Sequence, residues 1–142
     1  MATTSLWAVK SRLDHLVDYV QDTLKTVAEY VVNEEKTIDK QYVTYINLPF
    51  DNPREAMENT KKHYNDRSKI LAFHGYQSFM EDEVDVEMAH KIGVEFAQKM
   101  WGERFEVIVS THLNTDNIHN HFLLNSTSFM DGHRYSNTYD DI

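Results

Sequence analysis

Three histidines in the last third of the sequence have the types and spacing of a metal site. His119 and His121 are two residues apart in a β-rich segment, and alternate residues of a strand leave the same face, so their imidazoles pair as nitrogen ligands. His112 ends the preceding predicted strand, and a tight hairpin would place it across from that pair. Three neutral imidazoles leave open coordination positions on a divalent cation, as in catalytic metal sites.

Polar residues of the intervening loop are candidates to assist these histidines. Asp116 can orient a ligand imidazole by accepting a hydrogen bond from its second ring nitrogen, or it can act as a base. The alternative for Asp116 is an ordinary loop aspartate, and Asn114 is predicted to be a turn residue. A histidine pair alone arises often by chance in strands, so the third histidine at hairpin spacing is the feature that favours metal binding.

Composition narrows the class of protein that could carry this site. The 142 residues suit one domain, and 14 basic against 23 acidic residues give a net charge of −9. Without cysteine, a metal must be held by histidine or carboxylate, and a reducing cytoplasm is the expected location. No apolar run or leader-like N-terminus predicts membrane insertion. The acidic charge opposes non-specific attraction to a phosphate backbone.

The elements that must position the histidines alternate along the chain. Apolar periodicity and turn signals predict helices at 12–33, 53–64 and 86–101, and strands at 5–10, 41–48, 69–79, 105–111 and 119–126. This order indicates an α+β fold, in which one sheet has helices packed mainly on one face. The short loop between the last two strands predicts an antiparallel hairpin. The large aromatics that flank the strands are expected in the core: Trp7, Trp101 and Phe105.

The histidine run, followed by Asn125, resembles the histidine motif of the relaxase and mobilisation-nuclease family within the HUH endonucleases. It is similar in detail to the P-type Mob relaxases. The strand that carries His74 and Ser78 resembles the second motif of the family, which ends in Ser-Phe. A tyrosine ahead of a Lys-Thr pair resembles the tyrosine motif and occurs twice, at Tyr19 and Tyr30. The resemblance covers essentially the whole chain in family order.

This resemblance implies a five-stranded antiparallel sheet that holds Mg²⁺ or Mn²⁺ on His112, His119 and His121. It also implies that the chain is the catalytic domain, residues 1–142, of a longer monomeric protein that works with accessory relaxosome proteins. Such a domain nicks one DNA strand at a transfer origin and remains attached through a 5′-phosphotyrosine link. The residues expected to contact the single-stranded DNA are His74, Ser78 and Asn125.

Two departures from the family pattern concern the nucleophile and its base. Tyr19 is favoured over Tyr30 because the family places its nucleophile about two turns into the first helix. Tyr30 is also followed by a Lys-Thr pair and remains the second candidate. Asn114 stands where the family usually has an acid, which leaves Asp116 as the nearby carboxylate.

Two other functions remain open on the sequence. A rolling-circle replication initiator of the same superfamily uses equivalent chemistry, but its tyrosine follows the histidine motif, as Tyr135 and Tyr139 do here. A non-catalytic module that binds metal or nucleic acid is the second alternative, and the net charge of −9 is its best argument.

Overall fold

Strands and helices alternate along the chain as expected. A computed structural model of the protein describes residues 3–10, 42–80, 82–114 and 117–136. Within these ranges the strands are β1 Thr3–Lys10, β2 Val43–Ile46, β3 Ile70–Ser78, β4 Val107–Asn114 and β5 Asn117–Asn125. The helices are α1 Pro53–His63 and α2 Val86–Trp101. The α+β class is therefore confirmed, whereas the helix predicted at 12–33 lies outside the described residues.

The five strands form one antiparallel sheet in the order β1-β3-β5-β4-β2. The hairpin of β4 and β5 is tighter than predicted, because Asn114 pairs with Asn117 in the ladder instead of lying in a turn. His112 consequently lies directly opposite His119 in the register. The predicted hairpin is confirmed, and β5 lies at the centre of the sheet.

Helix α2 covers one face of the sheet through buried residues spaced four apart, most of them small. Its buried residues are Ala89, Gly93, Ala97 and Trp101. Residues four apart share one side of a helix, and small ones let the backbone approach the sheet closely. Ala97 and Trp101 join a core with strand residues of this face such as Val109 and Phe122. The Asp85 side chain caps the helix by accepting a hydrogen bond from the Met88 N–H at 2.7 Å.

Helix α1 packs on the opposite face, through Met57 against Ile108 and Leu123. The two described helices thus lie on different faces, and the third predicted helix, at 12–33, is outside the described residues. The reason that helices lie on both faces is that the successive β5 residues Phe122 and Leu123 are both fully buried, so each face needs an apolar cover. Neither helix in the described part of the chain has the length and apolarity needed to cross a bilayer.

A buried lysine ties α1 to the segment after β5. The Lys61 ammonium donates hydrogen bonds to Ser126 Oγ at 2.7 Å and to Thr127 Oγ1 at 3.1 Å. Burial lowers the pKa of Lys61 to about 8, although the nearby carboxylates of Asp66 and Glu106 act in the opposite direction. Lys61 therefore links α1 to the segment after β5, although burying its charged ammonium lowers the stability of the fold.

Candidate metal centre

The sheet brings the three histidines of the predicted metal site together. His119 and His121 leave one face of β5, and His112 faces them from β4. One ligand nitrogen from each residue lies within 4.8 Å of the other two. Metal–nitrogen bonds of about 2.1 Å hold two ligand atoms at most about 4.2 Å apart, so small ring rotations would place all three on one cation. The arrangement therefore fits a metal ion.

His74 on β3 adds a fourth imidazole beside this cluster. Its Nε2 lies 3.0 Å from Nδ1 of His121, within hydrogen-bond distance. Burial, followed by the charge of His112, lowers the pKa of His74 to about 4, so the ring is neutral at physiological pH. If His121 Nδ1–H donates this bond, Nε2 of His121 becomes the ligating atom and its ring orientation is defined. His74 thus contacts a ligand candidate directly.

Two residues that the sequence reasoning did not single out also adjoin the cluster. The Tyr76 ring centroid is 5.1 Å from that of His119 and 5.5 Å from that of His121. Ser110 Oγ lies 3.3 Å from Nε2 of His112. A simple signal would have found Tyr76, since it alternates with His74 and therefore leaves the same face of β3.

Trp7 lies on this face as well, and its predicted core position is wrong. The side chain is 45% exposed, and its ring centroid is 4.8 Å from that of His74. The reason is the alternation of β1, an edge strand: Leu6 and Ala8 pack against the core on the other face. Trp101 and Phe105 are buried in the core, as predicted.

Behind the histidines, Asn120 crosslinks the sheet and α2. It lies between His119 and His121 in sequence and therefore faces the other way, fully buried. Its Nδ2 donates to Gln77 Oε1 at 2.9 Å and to the Ala89 carbonyl at 2.8 Å, and its Oδ1 accepts from Thr111 Oγ1 at 2.6 Å. The backbone between the two candidate ligands is thus held from behind.

His90 on α2 joins the hydrogen-bond network of Asn120 and has a structural role. The ring nitrogens of His90 lie 2.8 Å from Thr111 Oγ1 and 2.7 Å from Thr44 Oγ1. Because the Thr111 hydroxyl donates to Asn120, His90 Nδ1–H must donate to Thr111 while its Nε2 accepts from Thr44. Burial lowers the pKa of His90, which is consistent with this neutral ring.

The remaining predicted site residues lie in several places. Ser78 pairs with His119 in the register of β3 and β5. Asn125 is at the far end of β5, fully buried, and its Nδ2 donates to the Met57 carbonyl at 3.2 Å and to Glu106 Oε1 at 2.8 Å. The structure therefore does not bring Asn125 to the histidines and leaves it no surface for DNA. Outside the described residues lie Tyr19, Tyr30, Asp116 and Tyr139.

Tyr135, the described tyrosine that follows the histidine motif, packs on the opposite face of the sheet. Its ring centroid lies 5.0 Å from that of Phe73 and 5.5 Å from that of Phe105. Both partners belong to the core covered by α2. This position disfavours Tyr135 as a nucleophile at the histidine cluster.

A central hairpin presents three histidines on one face of a five-stranded antiparallel sheet, which is the arrangement that the histidine motif predicts. The sequence model of the family described as relaxase, MobA/VirD2-like, nuclease domain matches residues 30–142. The chain belongs to this family.

Named relatives agree with that assignment. The protein called rlx of Staphylococcus aureus is 28% identical over 135 residues, which are 95% of this chain and 37% of the relative. The group II intron-interrupted relaxase LtrB of Lactococcus lactis subsp. cremoris (strain MG1363) is 26% identical over 141 residues, covering 81% of this chain and 25% of that protein. The chain spans well under half the length of these relatives.

Proposed function

We propose that this chain is the DNA-nicking domain of a mobilisation relaxase. The tyrosine oxygen attacks the phosphorus of one phosphodiester in a single DNA strand at a transfer origin. A bond forms between the tyrosine oxygen and the phosphorus, and the bond between the phosphorus and the 3′ oxygen breaks. The 3′ oxygen leaves with a proton, and the domain stays attached through a 5′-phosphotyrosine. The observation that carries the proposal is the convergence of His112, His119 and His121 in a relaxase-family domain.

These three histidines would hold the metal ion. When bound, the ion supplies positive charge that neutralises and orients the scissile phosphate. The proposed ion is Mg²⁺ or Mn²⁺; both favour oxygen ligands, which water and the scissile phosphate would supply beside the three imidazoles. His74 orients the His121 ring, and Ser78 lies beside His119 where it can contact the DNA.

Tyr19 is the proposed nucleophile, and Tyr30 is the second candidate. A free tyrosine has a pKa of about 10, so a base must help to remove its proton at neutral pH. Asp116 is the proposed base, because it is the carboxylate between His112 and His119 in the sequence. The wider protein is proposed to be a cytoplasmic monomer that uses accessory proteins at the transfer origin.

The test is the formation of a covalent protein–DNA adduct. The chain is incubated with Mn²⁺ and labelled single-stranded oligonucleotides that tile the transfer origin, then run on a denaturing gel. We expect a shifted band that disappears with a chelator, with His119→Ala and with Tyr19→Phe. His133→Ala is the matched control, because the His133 side chain is 78% exposed and belongs to the segment after β5.

Each result decides between the candidate functions. A band that survives Tyr19→Phe and disappears with Tyr30→Phe would make Tyr30 the nucleophile. DNA and Mn²⁺ binding without any covalent band would favour the non-catalytic module. Absence of both binding and adduct would refute the proposal.

A further inference from the structure

Trp7 is an exposed aromatic side chain beside the candidate metal centre. Its indole is 45% exposed although tryptophan is one of the largest apolar side chains. On one side its ring contacts His74, whose Nε2 is 3.0 Å from His121. The indole therefore adjoins the histidine cluster and still presents much of its surface to solvent.

Trp7 differs in position from Phe50, the other exposed aromatic side chain in the described ranges. The large apolar residues that are exposed in the described ranges are Trp7, Phe50, Met80, Met88 and Met130. Phe50, the other aromatic of this group, follows the end of β2 that pairs with Val107. Val107 is five residues from His112 along β4, or about 17 Å at the usual rise of a strand. Of the two exposed aromatics in the described ranges, Trp7 is thus the one that adjoins the centre.

The net charge of −9 makes an aromatic contact important for binding DNA. Phosphate neutralisation by basic side chains is the usual source of affinity, and this chain has 14 basic against 23 acidic residues. Stacking of a base on an aromatic ring needs no charge and tolerates any base, because every base has a π face. Bases of a duplex are already stacked on each other, so this contact selects a single strand.

We propose that Trp7 stacks on a nucleobase of the single-stranded DNA next to the cleaved phosphate, and that this contact positions the strand over the histidines. The proposal rests on the proposed function and names a subsite of it. Strand β3 separates β1 from β5, so the indole lies about 10 Å from the ligand histidines at the usual strand spacing. The stacked base is therefore within about three nucleotides of the cleaved bond.

The first experiment measures affinity for oligothymidylate and for the origin oligonucleotide. Trp7→Ala should weaken binding by about 5- to 150-fold, the range for loss of one stacked base. Trp7→Phe should restore most of the affinity because it keeps an aromatic face. Phe50→Ala is the matched control and should bind as the wild type does, since Phe50 is exposed but distant from the centre. Thermal unfolding of each variant verifies that it folds.

The second experiment uses the two tryptophans of the chain. Trp101 is only 3% exposed, so quenching of tryptophan fluorescence by added DNA should come from Trp7 and vanish in Trp7→Phe. Oligonucleotides with one base removed at successive positions locate the contact in the wild-type protein. At one position, removal of the base should weaken binding to the wild type but leave binding to Trp7→Ala unchanged.

The results separate this inference from the proposed function. If the wild type forms the covalent adduct but Trp7→Ala binds DNA equally well, the stacking subsite is wrong and the nuclease stands. If quenching persists in Trp7→Phe, the indole is not the contact. If the wild type binds no single-stranded DNA, both proposals fail.

Discussion

Gly93 on α2 lies so close to Asn120 that a side chain cannot fit between them. A Cβ at Gly93 would be 2.5 Å from Asn120 Nδ2 and 2.8 Å from its Cγ. Asn120 cannot simply rotate away, because its amide is bonded to Gln77, Ala89 and Thr111. Gly93→Ala must therefore displace the residue that holds the backbone between two candidate ligands.

Gly93→Ala should destabilise the fold, whereas helix propensity alone would predict that it stabilises the fold. Replacing glycine by alanine inside a helix normally stabilises it by up to about 1 kcal/mol. Overpacking here costs about 1–3 kcal/mol, and each buried polar group left unpaired costs about 1–3 kcal/mol. We therefore expect Gly93→Ala to lower the free energy of unfolding by about 2–4 kcal/mol. Adduct formation should fall as well, because His119 and His121 flank the displaced residue.

Urea unfolding measures this change. Glu95→Ala, an exposed position of the same helix, is the control and should alter stability by less than about 0.5 kcal/mol. In an Asn120→Ala background the contact disappears, so Gly93→Ala should cost much less there than in the wild type. A clash with Asn120 is refuted if Gly93→Ala is as stable as the wild type, or if its cost is undiminished in that background.

Three further variants test individual interactions. The pKa of Lys61 is about 8 in the folded chain against an ordinary 10.5. Between pH 8 and pH 10.5 the unfolded state therefore binds more protons than the folded state, so stability rises with pH. Urea unfolding at several pH values should show the wild type gaining about 3 kcal/mol of stability over that window relative to Lys61→Met; parallel curves would contradict this. Asp85→Ala removes the cap on the Met88 N–H and should cost about 1 kcal/mol, measured by thermal unfolding, and an unchanged melting temperature would argue against the cap. Arg104→Ala should change stability by less than about 1 kcal/mol, because its pair with Asp131 is half exposed; a larger loss in urea unfolding would show that this pair matters.

Much of the fold followed from local patterns in the sequence. The strand and helix positions in the described ranges match the predictions closely, because apolar periodicity and caps are properties of neighbouring residues. Alternation along β5 placed His119 and His121 on one face, and hairpin spacing placed His112 opposite them. The clustering of these three residues was therefore predictable before any tertiary contact was known.

Other features depended on how distant segments pack. Local patterns did not show that β3 lies beside β5, because these strands are separated along the chain and their pairing is non-local. That pairing places His74 and Tyr76 beside the cluster. The same packing buries Asn125 under α1, although the motif it follows suggested a role at the site.

The sequence by itself determined which residues alternate, which ones cap helices and which imidazoles share a face, because these are set within a few residues of chain. Only the tertiary structure decided the order of the strands, and with it which side chains surround the histidines and which remain exposed. Trp7 shows the difference: its alternation in β1 was visible in the sequence, but its exposure depends on β1 lying at the edge of the sheet. Strand order is set by burial summed over both faces, which no local pattern contains.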